Sequence, residues 1–175
     1  MTEVVRPITG ELRDEVDRVV AAWRRERPDL DVAPLQVLSR VTRLARHLDR
    51  DRSAAFAAHD LEAWEFDVLA ALRRAGAPHE LSPGQLVAET LVTSGTMTNR
   101  LDRLEGRDLV TRRPDTDDRR GVVVAATTEG LRLVDTAMAA LLDRERALLS
   151  GLEAPAQSEL AALLRRLAVC FEDPQ

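Results

Sequence analysis

Residues 91–127 read LVTSGTMTNRLDRLEGRDLVTRRPDTDDRRGVVVAAT, and this stretch decides the fold of the chain. Its first half predicts a short helix, because large apolar side chains recur at a spacing that places them on one helix face. These side chains are Met97, Leu101 and Leu104. Thr93 or Ser94 is a suitable N-cap, since a short side-chain oxygen accepts a hydrogen bond from a free backbone N–H at a helix start.

The second half of the stretch predicts a β-hairpin. LVTRR at 109–113 and GVVVAAT at 121–127 are short runs rich in β-branched residues, which favour strands. PDTDD at 114–118 lies between them and has the composition of a turn. The arms and tip of the hairpin carry Arg112, Arg113, Arg119 and Arg120. The stretch therefore predicts a helix followed at once by a β-ribbon with a basic tip.

The polar face of the predicted helix carries the residue types that read DNA in the major groove. Small residues permit a close approach to the bases, Asn pairs bidentately with adenine, and Arg pairs with guanine. The residues at this face are Ser94, Thr96, Asn99, Arg100 and Arg103. An ordinary solvated helix face accounts for the same residues when the helix is considered alone.

The hairpin favours the DNA-binding interpretation. In a winged helix, the recognition helix lies in the major groove and an Arg-rich ribbon contacts phosphates or a narrow minor groove. The alternative is a solvated hairpin tip whose arginines pair with Asp115, Asp117 and Asp118. That alternative does not explain why the helix and the hairpin occur together, so we expect this unit to bind double-stranded DNA.

The pattern of this stretch resembles the MarR family of bacterial transcription regulators. The resemblance is carried by SGTMTNRLDRLE at 94–105, LVTR at 109–112 and DRR at 118–120, with Val124 and Thr127. It extends over about residues 81–130 and implies a winged helix-turn-helix fold. It also implies that Arg120 enters the minor groove and that Asp118 orients an arginine.

Two positions depart from the family pattern. Asp108 stands where the family usually has Gly before the first wing strand, and Ala126 stands where it has Leu. Asp tolerates a left-handed backbone better than most residues, so we expect the turn to be kept. Ala leaves less apolar volume beneath the wing. Neither change alters the predicted fold.

The overall charge opposes the DNA-binding interpretation. The chain has 25 basic residues, all arginine, against 30 acidic ones, which gives a net charge of −5. A generic nucleic-acid-binding domain is basic. Residues 93–113 nevertheless hold five arginines and three acidic residues, so the predicted DNA face is locally positive. The net charge favours the alternative of a winged-helix dimer that serves only as a protein–protein interaction module.

Apolar stripes at helical spacing predict six more helices and therefore a mainly α fold. They cover about 10–27, 34–58, 61–75, 83–89, 128–149 and 155–171. The fourth of them, the turn at 90–93 and the helix that follows have helix-turn-helix spacing. In the second of them we expect an inward face made of Leu35, Leu38, Val41, Leu44, Ala45 and Leu48.

The terminal helices carry more apolar side chains than one small winged domain covers. We expect residues 10–27 and 129–171 to pack against a second copy of the chain; packing within one chain is the alternative. A homodimer suits DNA binding, since two recognition helices one DNA turn apart, about 34 Å, read a palindromic site. The predicted domains are 1–60 for dimerisation and an effector crevice, 61–128 for the winged helix-turn-helix, and 129–175 for C-terminal dimerisation helices.

An enzymatic site has little support in the sequence. His47 and Asp51 are one helical turn apart, which suits a general base pair or two metal ligands. No third ligand at metal spacing, no Cys/His cluster and no Gly-rich phosphate loop accompanies them. We therefore expect that the protein is not an enzyme and that it binds no metal and no cofactor. The two side chains then belong either to a solvated helix face or to an effector site.

A second resemblance concerns the effector. Residues 43–74 are similar to the branch of the MarR family that responds to urate-like purine metabolites, and Trp23 on an added N-terminal helix fits that branch. The resemblance implies a crevice in which Trp23, His47 and Asp51 bind a small anionic aromatic molecule, such as urate or another purine metabolite. An anion in such a crevice needs cations or hydrogen-bond donors beside it.

The remaining sequence signals concern location and output. Cys170 stands alone and cannot form an internal disulfide, and the composition fits a reducing cytosol. No apolar run predicts a membrane span and no signal peptide opens the chain, so we expect a cytoplasmic protein without a membrane partner. The sequence predicts a dimeric, ligand-responsive transcription regulator, in the form of a repressor.

Overall fold

A computed structural model of the chain describes residues 13–115 and 121–171. Its helices are α1 (Glu15–Glu26), α2 (Ala33–Ala57), α3 (Ala63–Arg74), α4 (Pro83–Thr90), α5 (Ser94–Gly106), α6 (Thr128–Leu149) and α7 (Ala154–Ala168), and a 3-10 turn, Val169–Phe171, follows α7. Its strands are β1 (Glu80–Leu81), β2 (Val110–Pro114) and β3 (Val122–Ala126). The mainly α fold with a winged helix-turn-helix is therefore confirmed.

The chain forms two compact units. Residues 41–141 make up the first, which we call the winged unit. The described residues before Val41 and after Leu141 make up the second, which we call the terminal unit. The predicted domains 1–60, 61–128 and 129–175 divide the chain by role, and they stay a prediction.

The core of the winged unit is built from helices α2 to α6 and the sheet. Phe56 of α2 stacks on Phe66 of α3, with 4.0 Å between the ring centroids. The predicted apolar stripe of α5 points into this core, and its three members are fully buried. The buried side chains around it include Leu69, Leu72, Leu86, Val110, Val124 and Val134. The inward face predicted for α5 is therefore confirmed.

Caps and a tight turn define the helix-turn-helix. Ser82 caps α4 by accepting a hydrogen bond from the backbone N–H of Gln85 at 3.2 Å. Thr93 caps α5 in the same way, with 3.3 Å to the backbone nitrogen of Thr96. Leu91 ends α4 in a left-handed conformation with φ 52°, so the chain reverses within three residues. Pro83 opens α4 at a position where its missing N–H costs nothing.

The wing is a three-stranded antiparallel sheet with strand order β1-β3-β2. Thr111 of β2 and Glu80 of β1 both lie opposite Ala125 of β3. The hairpin was predicted from its β-branched runs. Strand β1 was not predicted, because two residues are too few to show an alternation of apolar and polar side chains. Asp108 adopts the left-handed conformation expected of it, with φ 56°.

The base of the wing is fastened to the start of α6. The Thr127 hydroxyl donates to the carbonyl oxygen of Asp108 at 2.8 Å and accepts from the backbone N–H of Gly130 at 3.0 Å. A Cβ on Gly130 would lie 2.2 Å from the carbonyl oxygen of Leu109, so only glycine allows this approach. The junction fixes the direction in which the wing leaves the core.

The terminal unit has a small core of its own. Val16, Val20 and Val32 are buried together, and Leu35 packs against them. Arg40 of α2 donates to the Asp14 carboxylate that caps α1, with 2.8 Å between Nε and Oδ2. Helix α7 contributes no buried residue.

The inward face predicted for α2 is mostly wrong. Of its six residues, Leu35 and Val41 are partly buried, and the other four are exposed: Leu38, Leu44, Ala45 and Leu48. Of α2, the structure buries Ala55 and Phe56 instead. The apolar stripe is present in the sequence, but the described part of the chain leaves most of it uncovered. Among the described helices, none has both the length and the apolar character that a bilayer span needs.

Candidate nucleic-acid interface

Helix α5 brings the five predicted major-groove residues together on its outer side. Ser94, Thr96, Asn99 and Arg103 are exposed and Arg100 is partly exposed. The Thr96 hydroxyl lies 2.9 Å from the Thr93 hydroxyl at the helix cap. An open concavity along this face is lined by Trp64, Gly95, Thr96, Asn99, Arg100 and Arg103. The face is therefore a continuous polar surface with backbone accessible at Gly95.

Trp64 of α3 forms the floor of this surface. The guanidinium carbon of Arg103 lies 4.6 Å from the ring centroid of Trp64, and that of Arg100 lies 5.5 Å from it. Both distances permit cation–π attraction, which favours one orientation of each guanidinium. The sequence interpretation missed Trp64 as a site residue, since an aromatic residue in an apolar helix is usually read as core.

Glu62, just before α3, completes the cluster. Its carboxylate accepts a hydrogen bond from Nε1 of Trp64 at 2.8 Å and is also paired with Arg103. The hydrogen bond from Trp64, followed by that from Arg103, lowers the pKa of the Glu62 carboxyl. Glu62, Trp64 and Arg103 therefore form one hydrogen-bonded and stacked group on the α5 surface.

A second ion pair fixes α5 against α3. The Glu65 side chain is 1% exposed, and its carboxylate accepts from Arg107 at 2.7 Å and from the backbone N–H of Glu62 at 2.9 Å. Arg107 follows α5 and also donates to the carbonyl oxygen of Asp60 at 2.7 Å. Because a buried carboxylate without its partner is costly, this pair holds the C-terminal end of α5 in place.

The two described wing arginines are held by carboxylates. Arg112 donates to Glu105 at 2.9 Å through Nε and to Asp102 at 2.7 Å through Nη1, which joins β2 to α5. The hydrogen bond from Arg112 lowers the pKa of the Glu105 carboxyl, and the same contact raises the pKa of Arg112. Arg113 of β2 donates to Glu80 of β1 at 2.6 Å. None of these partners was predicted from the sequence.

The remaining predicted wing residues, Asp118, Arg119 and Arg120, lie outside the described residues. At the base of the tip, the backbone N–H of Asp115 donates to the carbonyl oxygen of Gly121 at 3.0 Å. The roles assigned to the tip stay predictions.

The predicted effector residues lie on two helices. His47 and Asp51 are exposed on α2, and Nδ1 of His47 is 3.1 Å from Nη2 of Arg50. Trp23 lies on α1 in the terminal unit and is about half exposed. In the described ranges, no three His, Cys, Asp or Glu side chains are grouped to hold a metal ion. The effector role of these residues stays a prediction.

Comparison with known proteins places this site in a family. A model of the MarR family matches residues 59–121. The chain is also 40% identical over 153 residues to the HTH-type transcriptional regulator PecS of Dickeya dadantii, which covers 87% of this chain and 92% of PecS. The chain belongs to the MarR family. Members of this family regulate transcription and are not enzymes, in agreement with the expectation from the sequence.

Two solved structures share the fold. A cysteine-to-serine mutant of MarR from E. coli, complexed with operator DNA, has a TM-score of 0.61 and 26% identity, and the match covers 79% of this chain and 99% of that one. BpsR of Bordetella bronchiseptica, whose DNA binding is regulated by 6-hydroxynicotinic acid, has a TM-score of 0.58 and 28% identity. That match covers 74% of this chain and 98% of BpsR.

Proposed function

We propose that this MarR-family regulator binds a palindromic DNA site as a homodimer and represses transcription there. The observation that carries the proposal is the exposed face of α5, where Asn99, Arg100 and Arg103 lie side by side above Trp64. The likeness to a MarR mutant complexed with operator DNA supports it. A dimer on an operator represses by excluding other proteins from the same duplex. Such a regulator works in the cytoplasm, where the chromosome lies.

In the proposed complex, α5 enters the major groove. Asn99 pairs with adenine, and Arg100 and Arg103 contact guanine or phosphate. Ser94 and Thr96 at the start of α5 contact the phosphate backbone, where the helix dipole also favours an anion. The wing contributes Arg112, Arg113, Arg119 and Arg120, with Asp118 orienting an arginine.

The proposed homodimer uses the apolar surface of the terminal unit. Leu160, Leu163 and Leu164 of α7 are each 40% exposed or more, which is unusual for neighbouring leucines in a chain that works alone. A second copy packed on this face removes it from water. A palindrome requires two recognition helices about one DNA turn apart, and a homodimer supplies two such helices.

We also propose that a small anionic aromatic effector, such as urate or another purine metabolite, modulates DNA binding. Trp23, His47 and Asp51 are the residues assigned to it. The regulation of BpsR by 6-hydroxynicotinic acid supports an effector of this chemical class. Calorimetric titration with urate, xanthine and salicylate tests the proposal. Heat of binding that is lost in the Trp23→Ala, Asp51→Ala double variant supports it, and no binding of any of the three overturns it.

A gel-shift titration on the DNA that flanks the gene tests DNA binding itself. We expect a shift that survives non-specific competitor and weakens between two salt concentrations, because phosphate contacts release counterions. No shift there, followed by no enrichment from a random-sequence library, contradicts the proposal. The net charge of −5 would then favour the second candidate, a winged-helix dimer that binds a protein partner.

A further inference from the structure

We propose that Glu62 sets how well this regulator discriminates between DNA sequences, by withholding Arg103 from phosphates of non-cognate DNA. The inference rests on the proposed DNA-binding role of α5. Glu62 and Arg103 are 41 residues apart in the chain, yet they pair at the α5 face that forms the proposed interface. Glu62 is thus a specificity-determining residue that need not touch a base.

The pair lies at the surface where a phosphate would arrive. The Arg103 and Glu62 side chains are 53% and 55% exposed, and Arg103 shares the concavity with Asn99 and Arg100. The Glu62–Arg103 pair as a whole carries no net charge. A phosphate that approaches Arg103 meets the Glu62 carboxylate beside it, so the attraction is largely cancelled on DNA that makes no further contact with α5.

The position of Glu62 is fixed from two sides. Its carboxylate accepts from Nε1 of Trp64, and its backbone N–H donates to the buried carboxylate of Glu65. Glu65 is held in turn by Arg107. A carboxylate fixed in this way keeps its hold on Arg103, whereas a mobile surface carboxylate loses side-chain entropy when it pairs.

Arg100 provides an internal contrast. Its guanidinium lies over the same Trp64 ring, but in the part of the chain that the structure describes no carboxylate is paired with it. Arg100 is therefore available to any phosphate. Arg103 leaves Glu62 only on DNA that also makes contacts with the neighbouring residues of α5. On non-cognate DNA, Arg100 contributes to the salt dependence of binding and Arg103 does not.

The first test measures dissociation constants on a cognate and a scrambled duplex over a range of salt, for the wild type and Glu62→Gln. The amide still accepts from Trp64 but no longer carries a charge for Arg103. We expect Glu62→Gln to bind the scrambled duplex on the order of 5-fold more tightly, with a salt slope steeper by about 0.9. The affinity for the cognate duplex should rise less, so the ratio of cognate to scrambled affinity should fall.

Glu89→Gln is the matched control. Glu89 pairs with Arg74 at 3.0 Å, and their side chains are 52% and 61% exposed, close to the values for Glu62 and Arg103. The charge change is the same, but Arg74 is not among the proposed DNA contacts. If the two Gln variants behave alike, or if Glu62→Gln tightens both duplexes equally, the inference is wrong.

The second test compares the two arginines while the net charge of the Glu62–Arg103 pair is held at zero. On the scrambled duplex, Arg100→Gln should weaken binding and reduce the salt slope by about 0.9, whereas the double variant Glu62→Gln, Arg103→Gln, which removes both charges of the pair, should change neither. Equal effects of Arg100→Gln and the double variant overturn the inference. Binding of the wild type to the cognate duplex distinguishes failure of the proposed function from failure of this inference. If the wild type prefers no duplex, both proposals fail. If it prefers the cognate duplex but the variants do not differ as expected, only the role of Glu62 is overturned.

Discussion

Helices α5 and α7 carry the same kind of apolar stripe and differ completely in burial. Met97, Leu101 and Leu104 of α5 are 1%, 2% and 0% exposed. Leu160, Leu163 and Leu164 of α7 are 40%, 52% and 45% exposed. Helical periodicity predicts that a face is apolar, but it does not say whether the same chain covers that face.

The helices and strands that pack against each stripe explain why one is buried and the other exposed. Helix α5 packs against α3, α4 and β2 within the winged unit, so its stripe is enclosed by its own chain. Helix α7 buries no residue in the described chain. Its stripe has the spacing and size of a core stripe, which is why we assign it to a second copy.

The largest expected effect comes from the buried stripe. Leu104→Ala removes a side chain that is fully enclosed, so it should lower the free energy of unfolding by about 2–5 kcal/mol. Urea denaturation followed by circular dichroism measures this. A loss below about 1 kcal/mol would show that α5 is not packed as described.

The exposed stripe should respond in assembly rather than in folding. Leu163→Glu places a charge in the proposed dimer contact and should weaken dimerisation by about 3 kcal/mol, or roughly 100-fold. Sedimentation equilibrium measures the dissociation constant. Ser158→Glu, on another exposed side of α7, is the control and should leave the dimer intact. A Leu163→Glu protein that remains a tight dimer excludes this face as the contact.

The outer face of α5 should affect sequence reading without affecting stability. Asn99→Ala should lose about 1–3 kcal/mol of discrimination at one base pair, because a bidentate contact to adenine is removed. Competition binding against single-base variants of the selected site measures it. Thr98→Ala is the control, since the Thr98 hydroxyl is turned to the carbonyl oxygen of Ser94 at 3.1 Å. Unchanged discrimination in Asn99→Ala would mean that α5 presents another face.

The smallest expected effect is a dependence of stability on pH through Glu105. The pKa of its carboxyl is lowered from an ordinary value of 4.5 by the hydrogen bond from Arg112. Because the pKa is lower in the folded state, the pair stabilises the fold at pH values above the ordinary pKa. That stabilisation is lost as the pH falls through the lowered pKa of the folded protein. Melting temperatures measured across this acid range should fall less steeply for Glu105→Gln. Identical slopes for both proteins would show that this pair does not contribute.

Much of the fold could be predicted because its signals are local. The approximate limits of most helices follow from apolar spacing and from capping residues such as Thr93, which act within one turn. The first helix is an exception, since it was predicted from about residue 10 and begins at Glu15, after the cap Asp14. The hairpin follows from two β-branched runs around a turn. The left-handed backbone at Asp108 was expected from a residue type that tolerates it.

The candidate site was predicted only in part. Asn99, Arg100 and Arg103 could be assigned to one face because they lie on one helix. Trp64 and Glu62 could not, since their contacts with Arg103 join separate segments of the chain and leave no periodic pattern. The two-residue strand β1 was missed for a related reason: only its pairing with β3 makes it a strand.

The sequence by itself determined which faces are apolar, the approximate extent of most helices, and which arginines lie near the proposed DNA face. Only the tertiary structure decided which apolar faces the chain covers and which arginines are already paired. Arg103, Arg112 and Arg113 are each held by a carboxylate from another element. The physical reason is that packing and ion pairing depend on distance in space, whereas periodicity and capping act between neighbours in the chain.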